Sequence, residues 1–541
     1  MLETNSVYSF LDLPPEISIQ TLLNLEWNEL LAVQRVNRAF KALIETSRIQ
    51  YRIALGIAGY KDGPDSHPMA VSERLESLRT LQSCFVRLEL PTKSRIEISG
   101  PTPIYELQGG VFVQGRHPPN APNEMIGVNA WSFHDPTTPF GWQLPNFSSS
   151  IRDLTLDPSQ DLLVLIEGGH RNKPLALRFL SLTTGGVHLS VRRDFNCPDY
   201  GPCDQGFIIT ICGDLVGLLS VDTSFFICNW KTGEVYVDIQ ILEEGAVDDF
   251  FFLDHERFVL VCRNSNPAKL QVYALRDDLG TSVQRYRIAD YHLPLVHENV
   301  TISSIQARSD PPPRNDLPYT SSPRFTTPPY AVLMKERIFI LTINMLNPEG
   351  HRNVILVMRA ETLMNIPDAA KRAHGPAIVT SEMWMNQTRM LPNLIPANQW
   401  MCFCYGSRMV TCTEYITDTE TRRVRHVKPS IIDFNPRLSA WVESGRTGTP
   451  WDPHLPLTMR KGSDAEFLRE GGKKDTFWAE EWISGLPFIV ETGPPDSNRY
   501  PLNHFESVVF MLDDRRLIVL KMARRGIFSA REARYMDIYT S

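Results

Sequence analysis

The chain has 541 residues, 42% hydrophobic and 22% charged, a globular balance that excludes a largely disordered or collagen-like protein. Its 55 basic and 62 acidic residues leave a formal charge of -7, so no bulk positive field exists to neutralise a nucleic-acid backbone. No apolar run reaches the roughly 18 residues of a membrane span, and MLETNSVYSF has neither the basic nor the apolar region of a secretory signal.

The first 90 residues carry helical periodicity. Leu13, Pro14 and Pro15 open a first helix with Ile17, Leu22 and Leu25 on its apolar side; prolines suit a helix start, where the missing N–H costs nothing. Asn28 is placed to cap a second helix bearing Leu30, Leu31, Val33 and Val36, and Asn37 a third bearing Phe40, Leu43 and Ile44. Arg35, Arg38 and Lys41 fall between the apolar positions, on a solvated face. Ile49, Ile53 and Ile57 predict a fourth helix ending at Gly59, and Ser72 a cap for a fifth with Leu75, Leu78, Leu81 and Phe85 inside.

From about residue 95 the period falls to two, or to short apolar runs broken by turns. Strand pairs are expected at 104–114, 162–182, 207–230, 249–275, 330–359 and 400–412, with 487–492 pairing 508–520. Their central turns fall near 109, 160, 214, 255, 336, 406 and 514. The early separations, about 40 to 55 residues, match one four-stranded propeller blade, and the later ones require insertions. The fold class expected is therefore α+β and multidomain: a small all-α N-terminal unit, a helical linker, then a large all-β, seven-bladed propeller. A β-sandwich or two stacked β-domains is the alternative reading. The proline-rich 307–329 and the polar 442–478 read as mobile surface insertions; the latter holds a basic cluster of Arg460, Lys461, Lys473 and Lys474.

The motifs of catalysis are absent. There is no phosphate-cradling G-x-x-x-x-G-K-[ST], dinucleotide G-x-G-x-x-G, zinc-binding H-E-x-x-H or nucleophile-elbow G-x-S-x-G. The nine cysteines are odd in number and form no C-x-x-C, which reads as reduced thiols inside a cell, in cytoplasm or nucleus. Cys402 and Cys404 share one strand face but lack histidines at ligand spacing, and Cys197 and Cys203 flank a turn that a labile disulfide would fit. Asp248–Asp249 and Asp513–Asp514 read as solubilising acids at strand edges and turns. No catalytic residue, cofactor or metal is expected.

Residues 11–45, LDLPPEISIQTLLNLEWNELLAVQRVNRAFKALIE, resemble the F-box. The pattern L-P-x-E-[IL], a leucine-bearing helix, a paired-leucine helix and V-[CSN]-[RK]-x-[FW] is met by Leu13, Pro14, Glu16 and Ile17; Leu22 and Leu25; Leu30 and Leu31; and Val36, Asn37, Arg38 and Phe40. Phe40 stands where tryptophan is commoner. Residues 50–85 are similar to the helical extension of many fungal F-box proteins, with Phe85 in place of tryptophan, and NWKTGEV at 229–235 looks like the end of a WD-type blade.

The resemblance implies a division into an F-box domain at 6–52, a helical linker at 53–94 and a substrate-recognition region at 95–541. It implies a non-enzymatic receptor that docks a Skp-type adaptor through Leu13, Pro14, Glu16, Ile17, Leu22, Leu30, Leu31, Val36 and Phe40. Through that adaptor it would present an unknown target protein to a cullin–RING (SCF-type) ubiquitin ligase, with no nucleic acid or membrane as partner. The turns around Asp214, His255 and Arg408 are candidate target contacts on loop grounds. An adaptor-binding scaffold without ligase activity is the alternative, and a propeller enzyme or small-ligand binder with an appended F-box is a third class.

Overall fold

The computed structural model describes residues 10–540 apart from 99–103, 118–123, 136–138, 169–174, 193–205, 221–223, 241–246, 278–282, 315–324, 326, 372–373, 393–401, 420–421, 445–449, 452–459, 462–477, 479–484, 492–499, 503–505 and 525–530. Five helices come first. α1 (Pro15–Leu22) starts on Pro15 at its first position. α2 (Trp27–Val33) is capped at Glu26, two residues before the expected Asn28. Its start is fixed by the Glu29 carboxylate, which accepts the Glu26 N–H at 2.8 Å. α3 (Arg38–Ile44) is capped as expected: Asn37 Oδ1 accepts the Phe40 N–H at 2.9 Å. α4 (Ser47–Ala58) ends on Gly59, whose φ of 77° is the left-handed conformation that glycine adopts without a Cβ penalty. α5 (Val71–Arg87) opens ahead of Ser72, because Glu73 reaches back to the Ala70 N–H at 2.9 Å.

The remainder is a seven-bladed β-propeller. Its first strands are Tyr105–Gln108, Ile151–Asp157, Phe207–Cys212, Val247–Phe252, Thr301–Arg308, Cys404–Tyr405 and Glu506–Leu512, which open blades I to VII. Each pairs antiparallel with the next strand of its own sheet, and the first strands of blades I to V neighbour one another in chain order. That succession excludes a sandwich or two stacked domains. Blade II has three described strands, and blade IV gains Ala377–Val379 as a parallel fifth. Six of the seven expected central turns join a blade's first strand directly to its second, and the one near 336 ends the 309–337 connection between those strands of blade V, so all lie at one end of the barrel of blades. Separate apolar clusters fill the seams, for example Phe225, Phe250 and Phe258 between blades III and IV.

Blade VII closes the ring with residues from the other end of the chain. Thr92–Glu97 pairs antiparallel with Arg531–Thr540, from Thr92 opposite Thr540 to Glu97 opposite Tyr535. Arg95 reinforces the seam, its two guanidinium nitrogens donating to the buried Asp537 carboxylate at 2.6 and 2.8 Å. Two expected pairings are thereby corrected. Ile489–Glu491 pairs with the third strand of blade VI and not with 508–520, and Tyr330–Val332 leaves the propeller to pair with Tyr60–Asp62.

The expected domain limits do not mark the physical breaks. α4 runs through the 52/53 limit and the closing strand runs through 94/95. The helices share one apolar core with blades V to VII, in which Leu30, Ile44, Ile53, Leu78 and Phe85 meet Ile340, Phe403, Ile432 and Leu512. They are a layer on the propeller, sited at the end that carries the first-to-second-strand turns. The described part of insertion 307–329 is likewise no mobile surface loop. Pro311, Pro312, Pro313 and Phe325 are buried, and the Pro329 carbonyl accepts from Tyr51 Oη at 3.1 Å and from the Gly63 N–H at 3.0 Å. Of the 442–478 insertion, Arg460–Lys461 forms a short strand on Ile489–Glu491 and Trp451 is buried; Lys473 and Lys474 lie outside the described residues.

Candidate functional site

The nine residues expected to dock an adaptor divide into two groups. Leu13 (41% exposed), Ile17 (52%) and Val36 (66%) stand in solvent, as do Pro14 and Glu16. Leu31 and Phe40 are half-buried, and Phe40 stacks on Phe10 with ring centroids 5.6 Å apart, holding the chain before α1 against α3. Leu22 (4%) and Leu30 (0%) belong to the core shared with the propeller. The last two are corrections: they hold the helices in place and offer no contact surface. Among the described residues, four of the eleven exposed large hydrophobics (Leu11, Leu13, Ile17, Val36) fall within 26 positions, a concentration that scattered surface residues do not produce. Arg35 and Arg38 are exposed beside them.

The turns nominated as target contacts lie at the covered end. Arg408 is buried, pairing with Asp433 at 2.9 Å, donating to Gln82 of α5 and stacking on Phe85. Nε2 of His255 lies 3.1 Å from the Arg314 carbonyl of the insertion. Asp214 pairs with Lys231 at 2.7 Å, within a clasp where Trp230 Nε1 donates to the Gly213 carbonyl. NWKTGEV is thus the turn into the last strand of blade III. Arg408 is an internal fastening, whereas His255 is exposed and the Asp214–Lys231 pair is partly so.

The second candidate was not anticipated. The first strands of blades I to V enclose a cavity of about 890 Å³ along the propeller axis. Glu106, Asp153, Asp249 and Asp310 line it, with Arg152, Arg263, Arg308 and Arg337. Asp249 is no solubilising edge residue: it accepts the Ala307 N–H at 2.7 Å and the Phe250 N–H at 2.8 Å, and faces Arg308 at 3.3 Å. Burial pushes it up to about 6 despite those partners. Asp248 pairs with Arg263 at 2.7 Å and accepts the Ile305 N–H. Arg337, fully buried, donates to the carbonyls of Pro311, Phe252 and Leu253; burial lowers its pKa to about 10.

Three carboxyls are less provided for. Glu106 accepts one bond, from Thr155 Oγ1 at 3.0 Å, and burial raises its pKa well above the usual range. Among the described residues Asp153 accepts only the neighbouring Leu154 N–H, at 2.8 Å, and burial raises it to about 7. Asp310 faces Arg308, Arg337 and Arg314 at longer range, and burial raises it to about 6. The available sequence signal was an acid inside the first strand of a repeating unit (YELQ, IRDLTLD, VDDFFF), the strand that faces the axis.

Cys212, Cys402 and Cys404 are buried free thiols. Cys402 donates its thiol to the Leu107 carbonyl at 2.9 Å, and burial pushes Cys402 and Cys404 up, away from the thiolate a metal needs. Cys212 lies 3.5 Å from His255 Nδ1, yet burial raises it too. Cys197 and Cys203 lie outside the described residues, and among those described no three His, Cys, Asp or Glu are grouped to hold a metal. Asp513 is buried in its turn, accepting the Arg515 N–H at 3.0 Å and pairing with Arg516. Among the described residues no helix is long and apolar enough to cross a membrane.

No family model and no curated protein sequence matches the chain. Among solved structures it is similar to the WD40 domain of Toxoplasma gondii coronin, at 6% identity and a TM-score of 0.33, covering 83% of this chain and 86% of that one. It is also similar to the N-terminal domain of Nup159, at 8% identity and a TM-score of 0.31, covering 83% of this chain and 96% of that one. The computationally designed Ika4 protein aligns with 32% of this chain at a TM-score of 0.23.

Proposed function

We propose that this protein is a non-catalytic receptor whose N-terminal helices dock a Skp-type adaptor and whose propeller presents a target protein to a cullin–RING ubiquitin ligase. The observation that carries the reading is the concentration of exposed apolar side chains at Leu13, Ile17 and Val36, on α1 and the turns beside it and between α2 and α3, in a helical layer whose other face is already used against the propeller. A surface of that kind favours a partner with an apolar groove. Exposed Arg35 and Arg38 favour an acidic rim on that partner. No side chain of the receptor then needs to react; holding target and conjugating enzyme together raises their effective concentration.

The test is co-expression of the full chain with a Skp-type adaptor, comparing wild type with Leu13→Asp/Ile17→Asp. A soluble complex that the double variant loses while staying folded supports the reading. An intact, folded chain that ignores the adaptor overturns it. Recruitment of a cullin to the complex separates a ligase receptor from an adaptor-bound scaffold.

A further inference from the structure

The walls of the axial cavity are unevenly neutralised. Arg263 is committed to Asp248 and Arg308 to Asp249, at 2.7 and 3.3 Å. Arg337 is committed to three carbonyls, and Arg152 lies over the Phe207 ring with 4.7 Å to its centroid. Among the described residues, Glu106, Asp153 and Asp310 line the space with no ion pair within 4.0 Å and the Asp310 carboxyl makes no hydrogen bond. All three are partly exposed, facing the confined space, and carboxyls that face one cavity without a counter-charge favour a cation that would pair with them. Between them the half-buried Ile208 and Ile209 supply apolar surface for a methylene stem.

Direction follows from the strands. Pro312 and Pro313 line the cavity at the end covered by the insertion, where the first strands finish. Arg152, Asp248 and Arg263 stand at the opposite end, where the first strands of blades II and IV begin and the second strand of blade IV has just ended. A ligand therefore enters from the end away from the helices, past the Asp248–Arg263 pair.

We infer that the axial cavity is a binding site for an alkylammonium or guanidinium group, held by Glu106, Asp153 and Asp310 with its stem against the apolar walls. Its source is either a lysine or arginine side chain of a bound protein segment or a free polyamine. The inference stands on the cavity alone and is independent of adaptor docking.

Titration calorimetry on the full chain tests it with three probes: spermidine, the peptide acetyl-Ala-Lys-Ala-amide and its norleucine counterpart. Saturable binding of spermidine or the lysine peptide is expected, with none for the norleucine peptide. Which cation binds tells the two sources apart. Glu106→Gln/Asp153→Asn, isosteric and confirmed folded by circular dichroism, should weaken binding by about tenfold or more. Asp65→Asn, an exposed acid outside the cavity, should leave it unchanged. Should the double variant not fold, Gln306→Lys, which tethers a competing ammonium inside the cavity, is expected to abolish binding. The inference is overturned if neither cation binds the wild type, if the norleucine peptide binds as well as the lysine peptide, or if both cavity variants bind like wild type.

Discussion

Asn435 donates its side-chain amide to the carbonyl of Ile57 across 2.9 Å, tying the last turn of α4 to the segment that leaves the third strand of blade VI. The Ile57 carbonyl is one of the orphan acceptors of a helix C-terminus, and here it is buried, so the propeller completes the helix. Asn435 is itself held on both sides: its N–H donates to Asp433 Oδ1 at 2.9 Å and its Oδ1 accepts the Arg437 N–H at 3.0 Å. Asn435→Ala leaves a buried carbonyl without a donor and should cost about 1–3 kcal/mol in chemical denaturation. If the helices were an independent unit on a spacer, the global midpoint would not move.

The shared core makes a stronger claim about truncation. Residues 91–541 retain the closing strand Thr92–Glu97 but lose every helix covering Ile340, Phe403, Ile432 and Leu512. The exposed apolar surface would be continuous, so this fragment should aggregate when expressed alone. A cut after residue 98 also removes the seam with Arg531–Thr540, and ring closure with it. Size-exclusion chromatography of the two fragments beside the full chain checks both, the second being expected to yield no folded species at all.

The axial carboxyls give the molecule a pH signature. Asp153, at about 7 in the folded state against an ordinary 3.8, holds a proton that the unfolded chain has released, so folding stability falls as pH rises from about 4 to 7. Arg152 and Arg308, the cations that face it, pull the other way and are outweighed by burial. Asp153→Asn keeps the acceptor for the Leu154 N–H and removes the titration. Its melting temperature should match wild type at pH 5 and exceed it at pH 8, by about 2 kcal/mol in stability. Melting curves of both proteins across that range decide it.

How far the sequence could be read depends on which residues carried each feature. The turns were legible because CGD, DHER and DDRR interrupt apolar runs of strand length and join a first strand to a second, while KER interrupts one between Tyr330–Val332 and the second strand of blade V. Asn37 and Gly59 were legible as cap and stop because their side-chain chemistry is local. Ring closure was not, since Thr92 and Thr540 pair across almost the whole chain and neither strand shows in its pattern where its partner lies. The covered end of the propeller was hidden for the same reason: proline-rich sequence looks solvated until Tyr51 and Gly63 are found holding Pro329. Leu13 and Leu30 match one motif equally well, and only packing separates the exposed residue from the buried one.

That separation sets the last prediction, which concerns the helices themselves. Gly56 lies in mid-α4, where glycine weakens a helix by roughly 1 kcal/mol relative to alanine. The substitution should nonetheless be harmful, because a Cβ on Gly56 would fall 2.4 Å from Cγ of Trp27, a contact of backbone against ring that fixes α2 on α4. Gly56→Ala should therefore destabilise by about 1–3 kcal/mol, overpacking outweighing the gain in propensity. Leu30→Ala, removing a side chain with no exposure, should cost about 2–5 kcal/mol. Ile17→Asp, at a position 52% exposed, should stay within about 0.5 kcal/mol of wild type. Denaturation midpoints of the three variants sort the helical layer into the face that builds the protein and the face left over for a partner. A large loss at Ile17 would place that residue in the core and remove the surface on which adaptor docking is proposed.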